Sequence, residues 1–142
     1  MRNANQILEN KGRAIFSVSA ETAVLDVIKL MAENHIGAVL VMRDDTLIGI
    51  ASERDYARKV ILQGRSSKDT PVSTIMSSPV LCVAPDDTAA TCMSLMTQRH
   101  VRHLPVRDGD RIVGVISIGD LVKAVIEDQQ NEIAQLQQYI AG

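Results

Sequence analysis

LMAENHIGAVLVMRDDTLIGIASERD, residues 30–55, returns 65 residues later as LMTQRHVRHLPVRDGDRIVGVISIGD, residues 95–120. Eight of the 26 aligned positions are identical without a gap: Leu30/Leu95, Met31/Met96, His35/His100, Val41/Val106, Asp45/Asp110, Gly49/Gly114, Ser52/Ser117 and Asp55/Asp120. A repeat of this length means two copies of one supersecondary unit. The apolar identities serve a core. The shared Gly, Ser and Asp are not what a core needs, and they carry the functional question.

Working outward, each copy reads β-α-β-β-α. A short extended piece opens it, at Ile15–Val18 and again at Val80–Val83. Ser19 is expected to cap the first helix, and Pro85 with Asp86 its counterpart. The helices carry apolar stripes at Val24, Ile28, Met31 and at Ala89, Met93, Met96. Ala38–Met42 and Leu47–Ala51 are runs of strand formers around a turn at 43–46. The second copy has HLPVR, then DGDR, then IVGVI, and its Asp-Gly pair is a strong hairpin signal. Continuous rather than alternating hydrophobicity implies strands covered on both faces. Second helices start at Ser52 and Ser117.

The fold class that follows is α/β (α+β): two β-α-β-β-α repeats packed with pseudo-twofold symmetry, plus a C-terminal helix. The expected boundaries are 8–63 for the first repeat, 64–78 for a Ser/Pro/Gly-rich connector, 79–126 for the second repeat and 127–142 for the helical extension. Along that helix Ile126, Ile133 and Ile140 lie seven apart, with Val122, Gln129 and Leu136 between them. This is a short a/d seam with one polar interruption, which favours a homodimer.

Composition narrows the function classes. A net charge of -2 over 142 residues lacks the basic stripe of a nucleic-acid protein. No apolar run approaches the ~20 residues of a membrane span. The polar start, MRNANQILENKG, has no signal-peptide core, so a cytoplasmic protein is expected. Cys82 and Cys92 read as small core residues in a reducing compartment. With three His and no CxxC or HxxxH, no metal site is expected. One Phe, two Tyr and no Trp mean that a flat ligand would sit between aliphatic side chains.

The chemistry-bearing pattern is Gly-apolar-apolar-Ser-x-x-Asp, at 49–55 and 114–120. It marks the exit of a strand into a helix N-terminus. First-turn N–H groups there lack intrahelical partners, and the helix dipole favours negative charge. The Ser hydroxyl can hydrogen-bond a phosphate or ribose oxygen, and the Asp carboxylate can accept from a ribose diol. The same four residues also make an N-cap with a first-turn acid. Both readings stand at this point. Arg102 and His103, just before Leu104-Pro105-Val106, are cations suited to a phosphate. The first copy has Gly37 and Ala38 there, with Arg54 as a possible cation beside Asp55. His35 and His100 are expected to interact with the C-terminal ends of their helices.

The doubled unit, GIASERD with its partner GVISIGD, and the lead-in VRHLPV resemble a pair of cystathionine-β-synthase (CBS) domains, or Bateman module, over about residues 8–126. The phrase SERDYARKVILQGRSSKDTPVSTIM resembles small stand-alone CBS-pair proteins. The resemblance implies a non-catalytic sensor that binds an adenosine nucleotide in the cleft between repeats. AMP is the first expectation, with ADP, ATP, NAD or S-adenosylmethionine in the same class. It implies ribose at Ser117 and Asp120, with Gly119 allowing close approach. Adenine would lie against Ile15, Phe16, Ile36, Gly37 and Ala38, and phosphate against Arg102 and His103. A second site would use Ser52 and Asp55, with Val80, Leu81 and Val101 around the base. It also implies disc-shaped homodimers that report to a downstream protein. The competing reading is a ligand-free structural or protein-interaction dimer module. Without GxGxxG, a cysteine–base arrangement or a spaced carboxylate pair, the sequence opposes an enzyme.

Overall fold

The computed structural model describes residues 1–141. The chain forms two compact units, one of residues 1–14 with 81–142 and one of residues 15–80. Both mix helices with a small sheet, the class expected from the sequence.

The unit of residues 15–80 holds the first repeat. Its sheet runs β1 (Ser17–Val18), β2 (Ala38–Arg43) and β3 (Thr46–Ser52), with β1 parallel to β2 and β2 antiparallel to β3. Helix α2 (Val24–Asn34) covers the sheet with Val24, Val27 and Met31. Val39, Leu40 and Val41 are consecutive and all buried, so this strand is covered on both faces. Helix α3 (Glu53–Tyr56) runs on into a π turn, Ala57–Ile61. Residues 64–78, expected as a connector, run along this unit. Val24 N–H donates to the Thr70 carbonyl, Val72 N–H to Thr22, and Ile50 and Ser77 form an isolated bridge.

The other unit holds the second repeat. Helix α4 (Ala89–Arg99) packs on the hairpin of β4 (His103–Asp108) and β5 (Arg111–Ser117), and α5 (Ile118–Ala141) follows without a break. Leu104, Pro105 and Val106 repeat the run of three buried strand residues. The first 14 residues also belong here. Helix α1 (Ala4–Lys11) is closed by a capping box between Asn3 and Gln6, and its Ala4, Ile7 and Leu8 are buried in this core. This helix was not singled out from the sequence. Its apolar positions 4, 7 and 8 are one helical stripe, too short to stand out from its polar neighbours.

The repeat holds residue by residue. Ala38 pairs with Ser52 and His103 with Ser117. Both hairpins break register just after Val41 and Val106. Asp44 and Gly109, equivalent positions, take left-handed turns at φ 53° and 62°. His35 and His100 both end their helices in the left-handed conformation, so they act through their own backbone N–H groups: His35 donates to Ala32 and Met31, His100 to Met96. Both histidines thus stand at the C-terminal ends of their helices, where the sequence reading put them.

Three expectations are corrected. The opening strand of the second repeat shrinks to a bridge at Val83, whose N–H donates to the Pro105 carbonyl at 3.0 Å. Ser19 bonds Thr22 Oγ1 within a turn, and α2 instead starts after Ala23 with no side-chain cap. Thr88, rather than Pro85 or Asp86, caps α4, accepting from Thr91 N–H. In both helices the turn before the first helical residue is longer than the apolar pattern indicates; before α2 this is because Ala20 and Ala23 fit either a helix or a turn.

Candidate functional site

In each unit a strand runs directly into a helix at the Ser-x-x-Asp segment. At the end of β5, Ser117 N–H donates to Asp120 Oδ2 at 2.8 Å, and Asp120 N–H donates to Ser117 Oγ at 3.2 Å. At the end of β3, Ser52 N–H and Ser52 Oγ both reach Asp55 Oδ2, at 3.0 and 3.1 Å, and Asp55 N–H returns to Ser52 Oγ at 3.2 Å. Both are capping boxes with Asp in the place usually held by Glu or Gln. The motif therefore does the structural job first, and one carboxylate oxygen of each Asp is committed to its own backbone.

The glycine that opens the motif has a separate cause. A Cβ on Gly114 would lie 2.6 Å from Leu8 Cδ2, and one on Gly49 would strike Met76. Each is a place where a side chain from another segment of the unit presses on the strand backbone. Gly119 differs: a Cβ there would meet only Ser117 Oγ, at 3.7 Å, which is ordinary contact.

The β4–β5 end collects a set of charged groups. Register places His103 opposite Ser117, and the Arg102 carbonyl accepts from Ile118 N–H at 2.9 Å. Arg102, His103, Ser117, Gly119 and Asp120 thus stand at one end of this unit. Lys11, from the last turn of α1, was not singled out from the sequence. Its Nζ sits 2.6 Å from Asp120 Oδ2 and also donates to the Val115 carbonyl. Burial alone would push the Asp120 carboxyl up. The hydrogen bonds from Lys11 and Ser117, with the Lys11 charge, outweigh it and hold the group below its ordinary value. His103 is mostly buried, and burial with the nearby Lys11 and Arg102 charges lowers its pKa against the opposing pull of Asp120. Burial thus disfavours its imidazolium form, and the permanent cation at this position is Arg102. Asp120, Lys11 and Lys123 also line a cavity of about 530 Å³ between α1 and α5, together with Arg2 and Glu127. That is within the size range of small-ligand pockets. Of the residues expected to bind, only Asp120 faces this cavity.

In the unit of residues 15–80, Gly37 takes the place of Arg102: its carbonyl accepts from Glu53 N–H at 3.0 Å. Lys59, one turn on from Asp55, pairs with Asp55 Oδ1 at 3.3 Å. Arg54 is half-buried in the first turn of α3. Phe16 and Ile36 pack against this unit's core, Ile15 is exposed, and Ala38 and Val80 are half-buried. Leu81 and Val101 pack against the core of the other unit. Cys92 is fully buried, and burial, with the Asp87 charge, pushes its thiol up to about 11. Cys82 is half-buried, and burial raises it as well. Among the described residues no group of three His, Cys, Asp or Glu could hold a metal ion, and no helix is long and apolar enough to cross a membrane.

The model of the CBS domain matches this sequence twice, over residues 12–61 and 72–127. The chain belongs to the CBS-domain family. Among curated CBS proteins it is 35% identical over 147 residues to the CBS domain-containing protein CBSX3, mitochondrial, of Arabidopsis thaliana, covering 97% of this chain and 71% of that one. Among solved structures it is similar to a putative signal-transduction protein with CBS domains from Burkholderia ambifaria. The TM-score there is 0.86 at 53% identity, over 89% of this chain and 96% of that one. It is also similar, with a TM-score of 0.74 at 26% identity, to the CBS domain protein PAE2072 from Pyrobaculum aerophilum, solved in complex with AMP. That match covers 83% of this chain and 88% of the other. CBS-pair proteins are regulatory modules, and this chain has the CBS pair over most of its length.

Proposed function

We propose that this chain is a non-catalytic regulatory module that binds an adenosine nucleotide at the Ser117–Asp120 end of β5, with AMP as the leading ligand and ATP or NAD in the same class. The observation that carries the reading is the cluster at that end. A partly exposed carboxylate and a lysine pair at a helix N-terminus, beside the strand end that carries Arg102, in a chain similar to a protein solved with AMP. Asp120 would accept from the ribose diol, and Arg102 and Lys11 would meet the phosphate. The Lys11–Asp120 pair is partly exposed, at 36% and 22%, so it contributes little stability and Lys11 can exchange a carboxylate for a phosphate. Ser52 and Asp55 would form a second ribose site that differs from the first, because Gly37 and Ala38 stand where the other copy has Arg102 and His103, leaving Arg54 and Lys59 as its cations.

A nucleotide of about 20 heavy atoms at roughly 0.3 kcal/mol per atom binds at about ten to tens of micromolar. That suits a sensor of abundant metabolites in the cytoplasm, one that signals to another protein. Calorimetry with AMP tests the assignment. Asp120→Ala and the milder Asp120→Asn, which keeps an acceptor for the Ser117 cap, should each weaken binding by more than tenfold. Unchanged affinity in both removes this site.

The complete capping boxes favour a second reading, in which both Ser–Asp pairs are purely structural and the module binds only protein. A thermal-shift screen with AMP, ATP, NAD and S-adenosylmethionine separates the two, because a ligand of the folded state raises apparent stability. A flat response to all four selects the second reading.

A further inference from the structure

We infer that the C-terminal half of α5 forms a parallel, two-stranded coiled coil with a second copy of this chain, in register at Gln129. The first half of α5 is anchored to its own unit by Leu121 and Ala124, both buried. The second half is not. Every residue from Gln129 to Ala141 is exposed, although this segment is helical throughout. Thirteen residues of helix with no buried side chain are marginal in water. This segment is also poor in charge and carries an apolar stripe, a combination that calls for a partner surface.

The stripe runs the length of the helix and is interrupted once, at Gln129. Val122, Ile126, Ile133, Leu136 and Ile140 are 42–82% exposed, and Tyr139 is 86% exposed at the stripe's edge. At roughly 150–250 Å² for a large side chain, this leaves on the order of 600 Å² of apolar surface uncovered, at or above the largest patch on a typical monomer. Two copies would bury about 1,200 Å², the lower end of specific interfaces.

A second copy fits this stripe better than an unrelated partner. Ile at a (126, 133, 140) with Val and Leu at d (122, 136) is the pattern that favours two strands. The single polar core position, Gln129 at d, is satisfied when it meets its own copy side by side. An antiparallel pair would bury it against Ile. In the parallel register Glu132 at g faces Gln137 at e of the partner helix, so no like charges meet across the seam. The groove lined by Ile118, Val122 and Ile126 extends the same face toward the body of the unit.

The test uses the full chain. Sedimentation equilibrium should give a dimer. Ile133→Glu should raise the dimer dissociation constant about a hundredfold or more, because a charge at an a position is buried unpaired. Hydrogen exchange at Leu104 and Val106 should stay unchanged, since residue 133 is exposed and lies outside the buried core of its own unit. An Ile140→Cys variant should cross-link rapidly on mild oxidation. In an antiparallel pair the two residues at 140 would be some 20 Å or more apart. A monomeric wild type, a dimer indifferent to Ile133→Glu, a dimer that fails to cross-link at 140, or a tail occupied by a different protein would each overturn the inference.

Discussion

The glycine at the head of the repeated motif makes a sharp test of how this fold is packed. In Gly114→Ala the new methyl would sit 2.6 and 2.7 Å from the two Leu8 methyls and 3.2 Å from Leu8 Cγ. Leu8 is 0% exposed and held by α1, so its branched end has nowhere to withdraw. Overpacking of this kind costs about 1–3 kcal/mol. The backbone at Gly114 is not left-handed, so the substitution also recovers up to about 1 kcal/mol from the unfolded chain. The net is a loss of about 1–2 kcal/mol, or a melting temperature lower by roughly 5 °C for a chain of this size. The equivalent Gly49→Ala faces Met76, which is half-buried and flexible and can swing aside, so a loss under about 1 kcal/mol is expected. Urea unfolding of the two variants and of Leu8→Ala, alone and combined with Gly114→Ala, closes the cycle. Leu8→Ala alone should cost about 2–5 kcal/mol. The double variant should be more stable than the sum by about 1 kcal/mol, because the new methyl fills space the leucine vacated. A Gly114→Ala protein as stable as wild type, or strictly additive costs, would refute the claim that this glycine exists to admit Leu8.

Three further outcomes are expected. Gly119→Ala adds a methyl in ordinary contact with Ser117 Oγ, in a helical turn, so thermal unfolding should show a gain of about 0.5–1 kcal/mol while calorimetry shows weaker AMP binding; a gain in stability with full affinity argues against close approach of a ligand there. Lys11→Met frees Asp120 but removes a phosphate partner, so AMP should weaken more than adenosine, and equal losses for both would exclude a phosphate role. The lowered pKa of His103 means that the unliganded protein is stabilised above pH 6.5 and loses that contribution as pH falls through the folded value. A bound phosphate would raise the same pKa, so AMP affinity should increase between pH 8 and pH 6, and His103→Gln should flatten that dependence in calorimetry.

The internal repeat made much of this legible in one dimension. The hairpins, the buried three-residue runs in β2 and β4, the helix starts at Ser52 and Ser117, and the long α5 are written in local pattern, because strand and helix periodicity act over a few residues. The alignment at 65 residues carried these features from one copy to the other, down to the register break after Val41 and Val106.

What the sequence alone determined is therefore the doubled unit and the place where each copy turns from strand to helix. Only the tertiary structure decided that α1 completes the unit of the second repeat, that Leu8 is the reason for Gly114, and that Lys11 occupies Asp120. Those partners lie more than 100 residues apart in the chain. No periodicity or capping rule reaches that far, because such contacts are selected by shape and charge once the chain has closed on itself.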